Sequence, residues 1–113
     1  MEVYDVGINI IKCNKKIEEV IDEIENFVSS KKFSTSKMLY RKAMEKSARV
    51  LKADGNPIGV IKMLAEGECS AEEQKFTDAE IEWKALLARK DGWESILNGW
   101  QSYNRHLGTV TNG

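Results

Sequence analysis

The chain has 113 residues, 42% of them hydrophobic and 31% charged, with a formal net charge of −1. That length allows one small core, and the composition is that of an ordinary folded, soluble protein. No apolar run approaches the roughly 20 residues needed to cross a bilayer, and a balance so near zero argues against a domain that coats nucleic acid by bulk positive charge.

The N-terminal stretch MEVYDVGINIIKC carries acids where a secretory signal needs basic residues, so a cytoplasmic location is expected. Residues 3–12 are rich in Val, Ile and Tyr and read as a short strand or an irregular arm, set here at 1–13. A lone strand would have nothing to pair with in an otherwise helical chain. Over 14–30, Ile17, Val20, Ile21, Ile24, Phe27 and Val28 recur at i, i+3, i+4 and i+7, the pattern of an amphipathic helix. SSKKFSTS ends it and offers hydroxyl caps for the next helix.

A second helix is predicted over 36–53, burying Leu39 or Tyr40 with Ala43, Met44, Ser47, Val50 and Leu51. ADGNP breaks it: Gly55 suits a C-terminal cap, Asn56 an N-cap, and Pro57 the first helical position. A third, short helix covers 57–66, with Ile58, Ile61, Leu64 and Ala65 on its apolar face. EGECS is the next break, with Ser70 and Glu73 spaced as a capping box.

From 70 to 106 there is neither proline nor turn cluster. With Phe76 at position a of a heptad, Trp83, Lys90, Leu97 and Asn104 follow at a, and Ala79, Leu86, Trp93, Trp100 and Leu107 fall at d. At about 1.5 Å per residue such a helix is roughly 55 Å long, which predicts a helical hairpin, a bundle or an oligomer. The repeat GWES…GWQS puts Gly92 and Gly99 in equivalent turns, each costing about 1 kcal/mol relative to alanine. Close packing against another helix, a kink or break at Gly92, or a flat ligand surface would each account for them. Residues 108–113 are predicted to be a disordered tail. The fold class is therefore all-α, with three or four helices in a single domain over 1–107.

Chemistry is sparse. His106 is the only histidine, and no Ser or Cys motif places a nucleophile beside it. Cys13 and Cys69 share no metal-type spacing and read as reduced thiols. No loop has the alternating acids of a hard-metal site, and DGNPIG lacks the GK[ST] ending of a phosphate loop. A non-enzyme with no cofactor and no metal is expected.

Charge, in contrast, is segregated. Residues 31–52 hold eight basic side chains against Glu45 alone, and residues 66–82 hold seven acids against Lys75 alone. Lys37, Arg41, Lys42, Lys46, Arg49 and Lys52 are thus candidate partner- or phosphate-binding residues, with Arg41, Lys42, Arg49 and Lys52 able to share a face. The competing reading pairs them with the acidic start of the long helix, at a few tenths of a kcal/mol per exposed pair. Trp83, Trp93, Leu97, Trp100 and Tyr103 are candidate residues of a homo-oligomer interface, with a stacking platform for a nucleic-acid base as the alternative.

The segment 48–107 resembles small uncharacterised proteins encoded by phages and prophages of Gram-positive bacteria. Leu51, Lys52, Ala53, Gly55, Asn56, Pro57, Ile61, Lys62, Leu64, Ala65 and Gly67 match there, as do Tyr103, Arg105, His106 and Leu107 near the end of the long helix. The resemblance implies a phage setting and action in the host cytoplasm. It implies no activity by itself; with the segregated basic helix and the missing catalytic groups it leads us to expect a binding protein that neutralises a host defence component, by masking a protein surface or sequestering a nucleotide signal. A single-stranded nucleic-acid-binding accessory of phage DNA metabolism and a structural or scaffolding phage protein are the alternatives.

Overall fold

A computed structural model describes the backbone of residues 3–112 and the side chains of 4–108. Four α-helices account for nearly all of it: α1 (Val3–Ser30), α2 (Lys32–Ala53), α3 (Ile58–Glu68) and α4 (Ser70–Asn112), with no strand among the described residues. The fold is all-α with a long C-terminal helix. None of the described helices is long and apolar enough to cross a membrane.

The N-terminal segment departs from the expected strand or arm, because α1 is helical from Val3. Val6, Cys13, Val20 and Phe27 recur at seven-residue spacing and are all buried, so one apolar face continues through the whole helix. Burying that face outweighs the weak helix preference of Val and Ile, a few tenths of a kcal/mol per residue. The expected face of 14–30 holds for Val20 and Phe27, but Val28 is exposed.

The connections are tighter than expected. SSKKFSTS is not a linker: one residue, Lys31, in the left-handed region at φ 57°, separates α1 from α2, and its carbonyl accepts from Thr35 N at 2.8 Å. α2 therefore begins about a turn before residue 36. Its end is a Schellman turn, in which Gly55 N donates to Lys52 O and Asn56 N to Leu51 O, each at 3.1 Å. Gly55 takes φ 87°, the conformation a C-terminal cap requires. Asn56 does not cap α3; its Nδ2 reaches back to Leu51 O at 2.9 Å, and Pro57 occupies the N-cap with no side-chain bond. Nor does Ser70 form a capping box. It is already helical, and Cys69 alone joins α3 to α4, its carbonyl accepting from Glu73 N.

The helices cluster into two compact units. The first consists of α1 up to Asn26 with α4 from Lys84; the second is Phe27–Trp83. In the first unit the two helices run antiparallel. Glu23 pairs with Arg89 at 2.6 Å, while Cys13 and Lys16 lie beside Trp93 and Trp100. Val6, Cys13, Val20 and Leu86 are its buried side chains.

In the second unit α2 runs antiparallel to the start of α4, and aromatic rings fill the space between them. Phe76 stacks on Tyr40 (centroids 6.0 Å apart, planes at 6°) and touches Phe33 at 5.6 Å, and Phe27 stacks on Trp83 at 5.8 Å. Such pairs contribute about 1 kcal/mol each beyond their area burial. Ala65, Cys69 and Ala79 are buried beneath, and the Ser47 hydroxyl donates to the Glu68 carboxylate. Of the predicted apolar faces, Val50, Ile58 and Leu64 prove exposed, and of the pair Leu39 and Tyr40 it is Tyr40 that is half-buried while Leu39 is exposed.

α4 is unbroken through Gly92 and Gly99, so neither marks a break. A Cβ added at either would meet no atom of the described chain within 4 Å, so no neighbour in this chain requires them. The helix is assigned as far as Asn112, where a tail disordered from 108 was expected; side chains 109–113 lie outside the described residues.

Candidate functional site

The spacing of cations along α2 decides where they point. At about 100° per residue, Ser47 and Leu51 mark the buried face, with Tyr40 and Met44 half-buried beside them. Arg41, Lys42, Lys46, Arg49 and Lys52 fall on the opposite side and are exposed, while Lys37 lies on the flank and is half-buried. The six candidates therefore do not share one surface. Arg41, Arg49 and Lys52 face outward, and Lys42 and Lys46 turn toward the start of α4.

The competing reading, in which the acidic run of α4 neutralises this helix, finds little support in the geometry. The ion pair that joins the two segments is Lys32–Glu82 at 2.6 Å, between half-exposed side chains. Among the described residues Lys37, Arg41, Lys42, Lys46 and Lys52 make no ion pair or side-chain hydrogen bond. Arg49 reaches only its own helix, through Nε to Glu45 O at 3.4 Å. Pairing across one helical turn fails because Glu45 is the sole acid of α2.

Between α2 and the start of α4 the second unit opens a groove of about 880 Å³. Leu39 and Ala43 give it an apolar floor. Lys32, Lys42 and Lys46 stand along α2, and Lys75 stands across from them with Glu72 and Asp78. Thr35 and Ser36 add hydroxyls, Ser36 Oγ being engaged by Phe33 O at 2.9 Å. Sequence reasoning had Lys42 and Lys46 but not Lys32, Lys75, Glu72 or Asp78. The two walls come from segments some 30 residues apart in sequence, and only their antiparallel pairing brings them together.

The predicted oligomer residues divide between the units. Trp83 belongs to the second, stacked on Phe27. Trp93, Leu97 and Trp100 belong to the first and are half-buried, and Tyr103 is more exposed, edge-on to Trp100 at 6.4 Å. Trp93 and Trp100 line a shallow cleft of about 320 Å³ with Lys12, Lys15, Lys16 and Cys13.

Two titratable groups in the second unit are shifted. Burial, then Glu73 and Glu66, pushes the Tyr40 phenol up, and burial, then Glu72 and Glu68, pushes the Cys69 thiol up against an opposing hydrogen bond from Ser47. Cys69 is thus held as a neutral thiol, the reverse of an activated nucleophile. No group of three or more His, Cys, Asp or Glu able to hold a metal occurs among the described residues. Comparison of the chain with models of protein families, with curated proteins and with solved structures finds no match.

Proposed function

We propose that this chain is a phage-encoded, non-catalytic binding protein that neutralises a host defence component in the host cytoplasm. It does so by covering an acidic protein surface or by sequestering a nucleotide signal, with Arg41, Lys42 and Arg49 of α2 holding the anionic groups. One observation carries this reading: Arg41, Lys42, Lys46, Arg49 and Lys52 of α2 stand exposed with no ion-pair partner among the described residues, although residues 66–82 of the same unit hold seven acids. Unpaired charges on a rigid helix attract an anionic partner and speed its encounter. The phage setting rests on the resemblance over 48–107, and self-association would use Trp93, Leu97, Trp100 and Tyr103 on α4.

The test is plaque formation on a defended host by a phage supplied with the protein. The unaltered chain should restore plaques, and the double variant Arg41→Glu/Arg49→Glu should not, while keeping its helical circular dichroism. A variant that restores plaques as well as the unaltered chain would remove α2 from the assignment.

The cleft of the first unit favours a second reading, a single-stranded nucleic-acid-binding accessory of phage DNA metabolism. There Lys12, Lys15 and Lys16 line the cleft with Trp93 and Trp100, Lys16 being paired with Glu19 at 3.4 Å, and cations beside stacking surfaces suit unpaired bases. Filter binding of an oligonucleotide across a salt series separates the two readings: affinity should fall steeply with salt under the second, and no binding at low salt rejects it.

A further inference from the structure

We propose that the groove between α2 and the start of α4 binds a nucleoside phosphate. This site is separate from the outward face of the proposed function, since Arg41 and Arg49 are not part of the groove, and the proposal takes only its biological setting from that reading.

Three features select the ligand. The volume of about 880 Å³ lies within the range of small-molecule clefts, roughly 300–1,000 Å³. Lys42, Lys46 and Lys75 converge on it from both walls without a carboxylate partner, and an unpaired ammonium is a point-charge binder of phosphate. Glu72 and Asp78 line the same space.

Those two acids are what narrow the class. A ligand anionic along its whole length, such as a nucleic-acid strand, would meet them as like charges. A molecule with an anionic end and a neutral body that donates hydrogen bonds would meet them as acceptors for its hydroxyl or amino groups. The apolar floor of Leu39 and Ala43 gives a planar, weakly polar ring somewhere to lie. An anionic phosphate end, hydroxyl-bearing sugar and flat base together describe a nucleoside phosphate. Asp78 is already engaged by Gln74 Nε2 at 2.8 Å, through one oxygen, which leaves the other as an acceptor.

Isothermal titration of the full chain with ADP, GDP, adenosine and pyrophosphate, near physiological salt, tests the assignment. ADP or GDP should bind more tightly than either adenosine or pyrophosphate, because only the whole molecule meets both the lysines and the floor. Lys46→Glu and Lys75→Glu, both at exposed positions that spare the core, should each weaken that binding by at least about tenfold. Arg41→Glu/Arg49→Glu should leave it within about threefold.

No heat with either diphosphate at about 1 mM would overturn the proposal. So would pyrophosphate binding as tightly as ADP, which is the behaviour of a bare cationic patch. Equal losses in the groove variants and the Arg41→Glu/Arg49→Glu variant would place the anion on the outward face and also refute it. Nucleotide binding without plaque restoration would leave the groove standing and the defence setting wrong; plaque restoration without nucleotide binding would do the reverse.

Discussion

Replacing Gly92 and Gly99 by alanine should make the protein more stable. Both lie inside α4, both are exposed, and a Cβ at either meets no atom of the described chain within 4 Å. Nothing therefore opposes the intrinsic preference of alanine for the helix interior, about 1 kcal/mol per site. Part of that gain comes from narrowing the unfolded ensemble. The sites are seven residues apart and share no contact, so the double variant should gain about 2 kcal/mol by additivity. For a chain of this length each kcal/mol raises the melting temperature by roughly 4 °C. Urea denaturation followed by circular dichroism should show a higher midpoint with an unchanged slope, at low and high protein concentration alike. Loss of stability in either single variant would refute the reasoning. A loss seen only at high concentration would mean that these turns lie against the backbone of a second copy, which the isolated chain does not supply.

Other outcomes follow from the same geometry. Lys31→Gly should stabilise by up to about 1 kcal/mol and Gly55→Ala should destabilise by about 1–2 kcal/mol, since both sites take positive φ; thermal melts of the pair check this. Phe76→Ala, removing the ring that meets both Tyr40 and Phe33, should cost about 2–3 kcal/mol, less than a fully buried phenylalanine because Phe76 is half-buried; urea midpoints read it. Stability should fall at alkaline pH. Tyr40 and Cys69 ionise later in the folded chain than at their ordinary values of 10.0 and 9.0. Their contribution is thus complete below about pH 9 and is lost as pH rises through the raised folded values, because the unfolded chain gives up its protons first. Tyr40→Phe should flatten part of that decline, and an unchanged profile between pH 8 and pH 11 would contradict it.

The long helix was legible because its signal is repetitive. Phe76, Ala79, Trp83 and Leu86 hold a seven-residue rhythm, and the absence of proline lets it continue. Gly55 was legible too, since a cap at positive φ has few other occupants. The start of α1 was not: Val3, Val6, Ile8, Ile10 and Ile11 are good strand formers, and only the long-range partnership with α4 selects the helix. Nor was the turn at Lys31, where packing holds a lysine in a conformation usually given to glycine. The cations of α2 could be listed from the sequence, but their division between an outward face and a groove depends on which side of the helix is buried. The groove's second wall depends on tertiary pairing, which no local pattern encodes.

Each compact unit carries one cysteine, Cys13 in the first and Cys69 in the second, and both are almost wholly covered. An alkylating reagent reaches a covered thiol only when its surroundings open. The rates at which the two sulfurs are trapped, resolved by mass spectrometry of the digested protein, therefore form a pair of internal clocks. Equal rates mean that the halves melt as one; unequal rates reveal which half lets go first.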